Sequence, residues 1–521
     1  MIDIRKKIGS TLPAAAAAAV FVVYCLTLLP GVGYSGDTSK FQFVGKVLGT
    51  PHEPGSPTYV MLNFIWVNLF PFGSTGFRAN LLSAVFSALA LFTTSRLLTI
   101  LGVRSWIVAT VVLIFGFTYT LWSQSVIAEV YSLSVLFSSL TLYFFIRWKQ
   151  EGNYRDFLLG CAVYAASFGD HLIVVTMLPA IAYLVWTTHK EFFWTPRVIL
   201  HVLLLIALGA AQYGYLFWRY YAHDTSYLEI LVPDVKALLY YTTGGQFQPN
   251  FLALGWRGVL FERLPLLVRF LWLEFLVLAP LGLLGLAAIR SGGVRNFLLL
   301  SLAGTFLFDL IYVVPDIFIY MLPVYLVLTV GLGLAIEWLV AMVDPGWEKK
   351  LGIMLALLPI FFLALNYAKA DQSKSIGAGR IVEESLQAVG KNALIICPNY
   401  DFAEDFWYYA FVDRDTADHL FVLYSHEGAL PFREIESYIE TSEPFELPLQ
   451  RRFTPAGLTI YYSTACQARP FDLGRMRYPQ SEPLLARYRE WFVFQPMRRF
   501  LDDGFTFVPV GRDLYRLEKS P

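Results

Sequence analysis

Charge is scarce in this chain. Asp, Glu, Lys and Arg make up 15% of its 521 residues, and 40 basic side chains balance 40 acidic ones. A formal net charge of zero excludes the basic face that a nucleic-acid partner demands. Cysteine is scarcer still, at four residues, and no Cys-x-x-Cys pair or Cys/His spacing of the zinc-binding kind occurs. A glycine-rich phosphate loop is also missing before residue 369, so chemistry there cannot lean on a nucleotide-binding turn. The lack of an internal repeat argues against the paired halves common in transporters.

What the chain does have is apolar surface: 56% of residues are hydrophobic and 17% aromatic, with a mean hydropathy of +0.53. That is too apolar for a soluble domain and reads as a multi-pass membrane protein. Apolar runs able to cross a ~30 Å hydrocarbon core recur until about residue 368 and then stop. The expected fold is therefore an α-helical polytopic membrane domain over 1–368, followed by a soluble α/β domain over 369–521. The runs predict about eleven spans, at 11–32, 79–101, 105–122, 127–148, 156–168, 171–186, 198–218, 266–289, 296–314, 317–340 and 351–367. Residues 57–72 are apolar but short and carry Asn63 and Asn68, which suits a helix lying at the interface.

The start of the chain, with Arg5, Lys6 and Lys7 before an alanine run, has the look of a signal peptide. Its apolar run continues to Pro30 without a small-residue cleavage site, so a retained first span is expected. With the N-terminus in the cytoplasm, the basic turns at Arg96 and Arg104, Arg147 and Lys149, Lys190 and Arg197, Arg290 and Arg295, and Lys349 and Lys350 all face inward. The C-terminal domain then lies outside the cytoplasm, and a bacterial inner membrane is the expected location. Cys25 and Cys161 fall in apolar spans, whereas Cys397 and Cys466 lie in the tail, where an oxidising compartment would allow them to pair. In that tail, an apolar run over 392–397, a helical stretch over 402–411 and a second strand over 419–424 predict α/β structure.

The same topology brings Asp37, His52, Glu53, Glu129, Asp170, His171 and Asp316 to the outer ends of their helices. Acids and histidines at helix ends are often merely solvated, but seven on one face point to a site. The outer connection over 220–265 is long enough to be functional and carries the aromatic, polar run Tyr240 to Phe247. Beyond it, Arg269, Glu274 and Asp309 fall inside spans, where an ionisable group is costly unless it pairs or lines a wet cavity. For Arg269 two readings stand: snorkelling to the interface, or holding a lipid phosphate.

Several short motifs occur in order along the membrane half: Gly36-Asp37-Thr38 with Phe41-Gln42, Leu48-Gly49, His52 with Pro54-Gly55, and Arg78-Ala79-Asn80-Leu81. Trp122-Ser123-Gln124, Ala128-Glu129-Val130-Tyr131, Gly169-Asp170-His171-Leu172, Gly245-Gln246-Phe247, and Pro315-Asp316 with Tyr320 and Pro323-Val324-Tyr325 continue the series. Together they resemble the protein O-mannosyltransferase-like integral membrane family of the C-type glycosyltransferase (GT-C) superfamily. Two departures stand out. Lys40 occupies a position where an acid is common, and Glu53 and Ser56 replace a more usual proline or threonine and an aromatic residue.

The resemblance implies an inverting hexosyltransferase. It would take mannose or a similar sugar from a polyprenyl-phosphate donor to a protein, glycan or lipid acceptor on the extracytoplasmic face. Asp37 matches the catalytic acid of the first outer loop, which would take the acceptor's proton, and Glu129 is the second acid. His52, Glu53, Asp170, His171, Gln246, Arg269, Asp316 and Tyr320 are the expected substrate-binding residues. Such a reaction needs no nucleotide-binding fold in the membrane domain. A divalent cation held by His52 with Glu53 or Asp37 stays open, although no metal spacing is recognisable. Competing readings are a transporter or lipid flippase, and a noncatalytic envelope assembly protein.

Overall fold

The structure, a computed structural model, describes residues 11–33, 37–222, 226–375, 377–398, 400–412, 419–424, 430–464, 494–511 and 513–519. The chain opens with α1 (Leu12–Leu26), two short helices, α2 (Thr38–Val47) and α3 (Pro57–Leu69), and the long α4 (Thr75–Ile100). Next come α5 (Ser105–Gly116), α6 (Tyr119–Ser125), α7 (Tyr131–Glu151), α8 (Tyr154–Ser167), α9 (Leu178–His189), α10 (Pro196–Ala211) and α11 (Gly214–Tyr221). The membrane half finishes with α12 (Val235–Thr242), α13 (Gly255–Gly258), α14 (Leu264–Phe275), α15 (Leu278–Ala287), α16 (Gly292–Ile311), α17 (Ile317–Tyr320), α18 (Leu322–Met342) and α19 (Pro345–Ala370).

Among the described residues, six helices are long and apolar enough to cross a membrane, or eight if each of two bent pairs counts as one span. The chain is a multi-pass membrane protein, but length and composition mark fewer spans than the eleven expected. Two expected spans are broken: α5 and α6 meet at 70°, and the helices over 255–275 and α15 meet at 97°. Helix α1 is short, with 15 residues, and α7 buries Ser132, Ser134, Ser138 and Ser139 against its neighbours, which lowers its hydropathy without exposing a hydroxyl to lipid. Helix α3 has 13 residues, about 20 Å of length, too short for a ~30 Å core.

The break after α5 also accounts for one buried acid. Glu274 reaches the start of α6, where its carboxylate accepts the Thr120 backbone N–H at 3.1 Å and the Thr120 hydroxyl at 2.5 Å. It satisfies a helix N-terminus and therefore belongs to the scaffold. Elsewhere the helices approach through small residues: a Cβ on Gly285 of α15 would run into the carbonyl of Gly331 in α18.

The tail follows α19 with α20 (Gly377–Ala388), β1 (Ala393–Ile396), α21 (Tyr400–Val412), β2 (Leu420–Leu423) and α22 (Phe432–Thr441). After these come β3 (Glu446–Leu447), β4 (Arg452–Phe453), β5 (Thr459–Ser463), α23 (Gln495–Asp502), β6 (Phe505–Gly511) and β7 (Leu514–Lys519). Five strands form a sheet in the order β2-β1-β5-β7-β6, with β1 parallel to β2 and β5, and β7 antiparallel to β5 and β6. Alternation along β1 sends Leu394 and Ile396 into a core with Tyr462 and Phe500, while Ala393 and Ile395 join Phe402, Phe406 and Trp407 of α21. That second core continues into Phe43 of α2 and Tyr227 of the long loop between α11 and α12. The C-terminal domain and these two segments thus share one apolar core. Cys397 is buried in it, and Cys466 lies outside the described residues.

Candidate active site

Helix α2 begins at Thr38, directly after Asp37, and the three-residue spacing brings Lys40 back beside that acid. The Lys40 Nζ lies 2.7 Å from Asp37 Oδ1, 3.0 Å from Glu229 Oε2 and 3.4 Å from Glu404 Oε1, and its side chain has no exposed surface. It also donates to His52 Nδ1 at 2.9 Å and stands 4.8 Å from the centre of the Tyr400 ring. Four separate segments converge here: α2, the turn before α3, the long outer loop, and α21 of the tail. Burial alone would strip the lysine of its proton, but Asp37, Glu229 and Glu404 reverse that and hold it charged. Burial likewise opposes ionisation of Asp37, yet His52 and Lys40 hold its carboxyl at about 2. His52 is pushed below its usual range, chiefly by burial.

On the other side of His52, the first loop meets the aromatic outer run. The Gln246 backbone N–H donates to Glu53 Oε2 at 3.0 Å, and the Phe247 ring meets His52 edge-on at 6.3 Å between centroids. Burial raises the Glu53 carboxyl to about 7, with the Gln246 bond working against the rise.

A second group lies deeper, around Tyr131 at the start of α7. Its hydroxyl donates to Asp316 Oδ2 at 3.2 Å, and its ring centre is 5.4 Å from His171 and 5.8 Å from Tyr320. Asp316 is raised to about 6, first by burial. Asp170 accepts from Ser134 at 2.5 Å on Oδ2, while its Oδ1 has no hydrogen-bond partner among the described residues. The first loop reaches this group too, since Ser56 donates to the Asp170 carbonyl at 2.7 Å and Thr58 N–H to that of Gly169 at 2.8 Å. A Cβ on Gly169 would strike the Gln212 and Thr58 side chains, so the close approach favours glycine. Glu129 is buried between the two groups, within electrostatic reach of Asp37 and Asp316.

With this geometry in place, the similarities to known proteins take on meaning. Residues 37–193 match the family described as the Protein O-mannosyl-transferase TMEM260 N-terminal domain. That segment is O-mannosyl-transferase-like. Protein O-mannosyl-transferase TMEM260 of Mus musculus is 32% identical over 216 residues, covering 40% of this chain and 30% of its own. The Dictyostelium discoideum protein of the same description is 18% identical over 212 residues, or 38% of this chain and 26% of its own. The chain thus spans under a third of the length of these curated relatives. Both are eukaryotic, so the expected bacterial inner membrane draws no support from them.

The fold extends further than the sequence similarity. The crystal structure of ArnT from Cupriavidus metallidurans bound to undecaprenyl phosphate matches with a TM-score of 0.58 at 12% identity, over 98% of both chains. Its apo form matches with a TM-score of 0.53, over 97% of both. The likeness in fold to ArnT therefore includes the tail.

The O-mannosyl-transferase-like segment begins at Asp37 and contains His52, Glu53, Glu129, Asp170 and His171. The fold adds Gln246, Asp316 and Tyr320 from later in the chain. Arg269 is not brought in: it stands exposed on α14 with no polar partner among the described residues. The buried arginine on that side is Arg263, whose Nε donates to the Asp309 carbonyl at 3.1 Å and whose Nη2 donates to that of Tyr312. Its spacing from Arg269 carries no signal in the sequence, because a π-helical turn over Val259–Arg263 sets the direction of the side chain.

Glu229, Tyr400 and Glu404 also escape a sequence reading, for they come from a loop and from the tail. Lys40 stands out in sequence only as a departure from the family pattern. Among the described residues, no group of three His, Cys, Asp or Glu side chains is arranged to hold a metal ion. Asp37 is turned to the Lys40 ammonium and Glu53 to the Gln246 backbone N–H, so the cation-binding alternative does not fit this arrangement.

Proposed function

We propose that this chain is a membrane glycosyltransferase that moves a hexose, mannose by the relatives' description, from a polyprenyl-phosphate donor to a hydroxyl of a protein, glycan or lipid acceptor. The observation that carries this reading is the Asp37 carboxylate, a third exposed at the rim of the outer loops and paired at 2.7 Å with the buried Lys40. In the reaction, the acceptor oxygen forms a bond to the anomeric carbon as the bond to phosphate breaks. Asp37 takes the hydroxyl proton, and the polyprenyl phosphate leaves with the electron pair. One displacement inverts the anomeric centre.

A carboxylate held at about 2 is a weak base in the resting site. Arrival of an anionic donor phosphate raises its basicity, because a neighbouring negative charge disfavours the ionised form. Undecaprenyl phosphate bound to ArnT supports a donor of this class. Arg263, buried and within electrostatic reach of Asp316, is our candidate for the leaving phosphate, ahead of Arg269. Glu129, Asp170, His171, Asp316 and Tyr320 then line the sugar, with Gln246 closing over Glu53. Residues 1–368 carry the transfer site and 369–521 dock on it, outside the cytoplasm, as the inward basic turns favour.

Purified protein offered several polyprenyl-phosphate sugars and a hydroxyl acceptor tests the reading, with Asp37→Asn as the control. Transfer by wild type and its loss in the variant supports it; transfer that survives in Asp37→Asn removes Asp37 as base. Glu53 is the second candidate for that role, since a carboxyl near 7 is better matched to neutral pH. Movement of the lipid-linked sugar across vesicles without transfer would favour a flippase instead.

A further inference from the structure

Helix α21 is the soluble domain's closest approach to Asp37, and one of its faces is polar where the shared core would predict apolar residues. Tyr400, Glu404, Asp405 and Tyr408 recur at intervals of four, one and three residues, a single stripe of the helix. Each bonds to a residue of the membrane half. Tyr400 donates to Glu229 at 3.0 Å, and Glu404 accepts the Lys40 backbone N–H at 3.3 Å as well as facing its ammonium. Asp405 accepts from the Ser39 hydroxyl, and Tyr408 accepts the Gly76 N–H at 3.0 Å. Two consecutive acids of the tail thus hold two consecutive residues of α2, one turn beyond Asp37. Glu404 and Asp405 are both buried, at 0% and 3% exposure, a costly placement for a mere docking surface.

We propose that Glu404 is a positioning residue of the transfer site: by gripping Lys40 from the soluble domain, it keeps the ammonium against Asp37 and so makes the tail part of the active site. This deepens the proposed function and rests on it for the word transfer, but the geometric claim is separate. The charged groups that face Asp37 or its Lys40 partner are His52 from the next turn, Glu229 from the long loop, Glu404 from the tail, and Glu129 and Asp316 from the deeper group. Removing one negative charge from this set acts on Asp37 in two opposite ways. If Glu404 were only a nearby charge, its loss would make Asp37 easier to ionise. If it positions Lys40, its loss lets the ammonium drift away and makes Asp37 harder to ionise.

The direction of the change therefore separates the two roles. Dicyclohexylcarbodiimide labels protonated carboxyls, and mass spectrometry of the Asp37 peptide across a pH series reads its protonation in the full chain without any need for activity. Glu404→Gln, which keeps the shape, should move the labelling midpoint upward by about one to three pH units, with Lys40→Met moving it at least as far. Glu404→Asp should return it close to wild type. In the same membranes Glu404→Gln should lower kcat by roughly 10- to 100-fold with donor KM little changed, the cost of a displaced charge and not of lost binding. A midpoint that falls or stays in place in Glu404→Gln overturns the proposal. Wild-type protein that transfers no sugar overturns the proposed function, and the labelling series still decides whether Glu404 positions Lys40.

Discussion

Around Lys40, three carboxylates share one buried ammonium, whereas around Tyr131 the carboxylates of Asp170 and Asp316 take their hydrogen bonds from hydroxyls. The two groups are joined through the first loop, yet their partners give them opposite character. An ammonium stabilises the ionised form and keeps Asp37 free of a proton at rest. A hydroxyl partner offsets much less of the cost of burying charge, and Asp316 is accordingly raised to about 6. Under the proposed function the first group would take the acceptor's proton and the second would hydrogen-bond the hydroxyls of a sugar, whose C–H face would pack against the rings of Tyr131, His171 and Tyr320.

The comparison breaks most decisively at Asp37. Asp37→Asn should lower transfer by about 10²–10⁴-fold with folding retained, whereas Asp170→Asn should raise KM more than it lowers kcat; steady-state kinetics with donor and acceptor varied separately distinguishes them. If Asp170→Asn proves the more severe on kcat, the assignment of the two groups is reversed.

Lys40→Met probes the first group's dependence on its cation. Removing it strands three carboxylates, and stability should fall by roughly 3–5 kcal/mol, read as the loss of monodisperse protein after heating in detergent. An unchanged melting curve would mean that the ammonium is not what holds this group together.

Next in size is the phosphate contact. Arg263→Lys keeps a charge but loses the planar fork, and donor KM should rise on the order of tenfold with acceptor dependence unaltered, while Arg269→Ala stays close to wild type. The reverse ranking would return the phosphate to α14's exposed face.

The smallest expected effect is at Glu53, which has neither an ammonium nor a hydroxyl. Its folded value, about 7, lies above the ordinary 4.5, so the stability it contributes is complete below 4.5 and is lost as pH rises through 7. Melting temperature measured from pH 4 to 8 should therefore fall less in Glu53→Gln than in wild type.

Much of this organisation was open to a sequence reading, for local reasons. Hydropathy marks a membrane half and a soluble half because each span must bury its backbone within its own helix. Asp37, His52, Glu129 and Asp170 stand at helix ends, where short polar motifs interrupt long apolar runs. Span counting was less secure. A kink such as that between α5 and α6 leaves no composition signal, and its stabilising acid, Glu274, comes from more than 150 residues away in the chain. Arg269 misled for a related reason: an arginine inside an apolar run looks costly, but on a helix with an exposed face it is not buried at all.

By itself the sequence determined the membrane class and the α/β tail, because periodicity and hydropathy are properties of neighbouring residues. Only the tertiary structure decided which charges share a site. Lys40 meets Glu229 and Glu404 across 189 and 364 positions of chain, through a core common to α2, the long loop and α21. No local pattern encodes that meeting: Coulomb attraction acts over a few ångströms of space and is indifferent to separation in sequence.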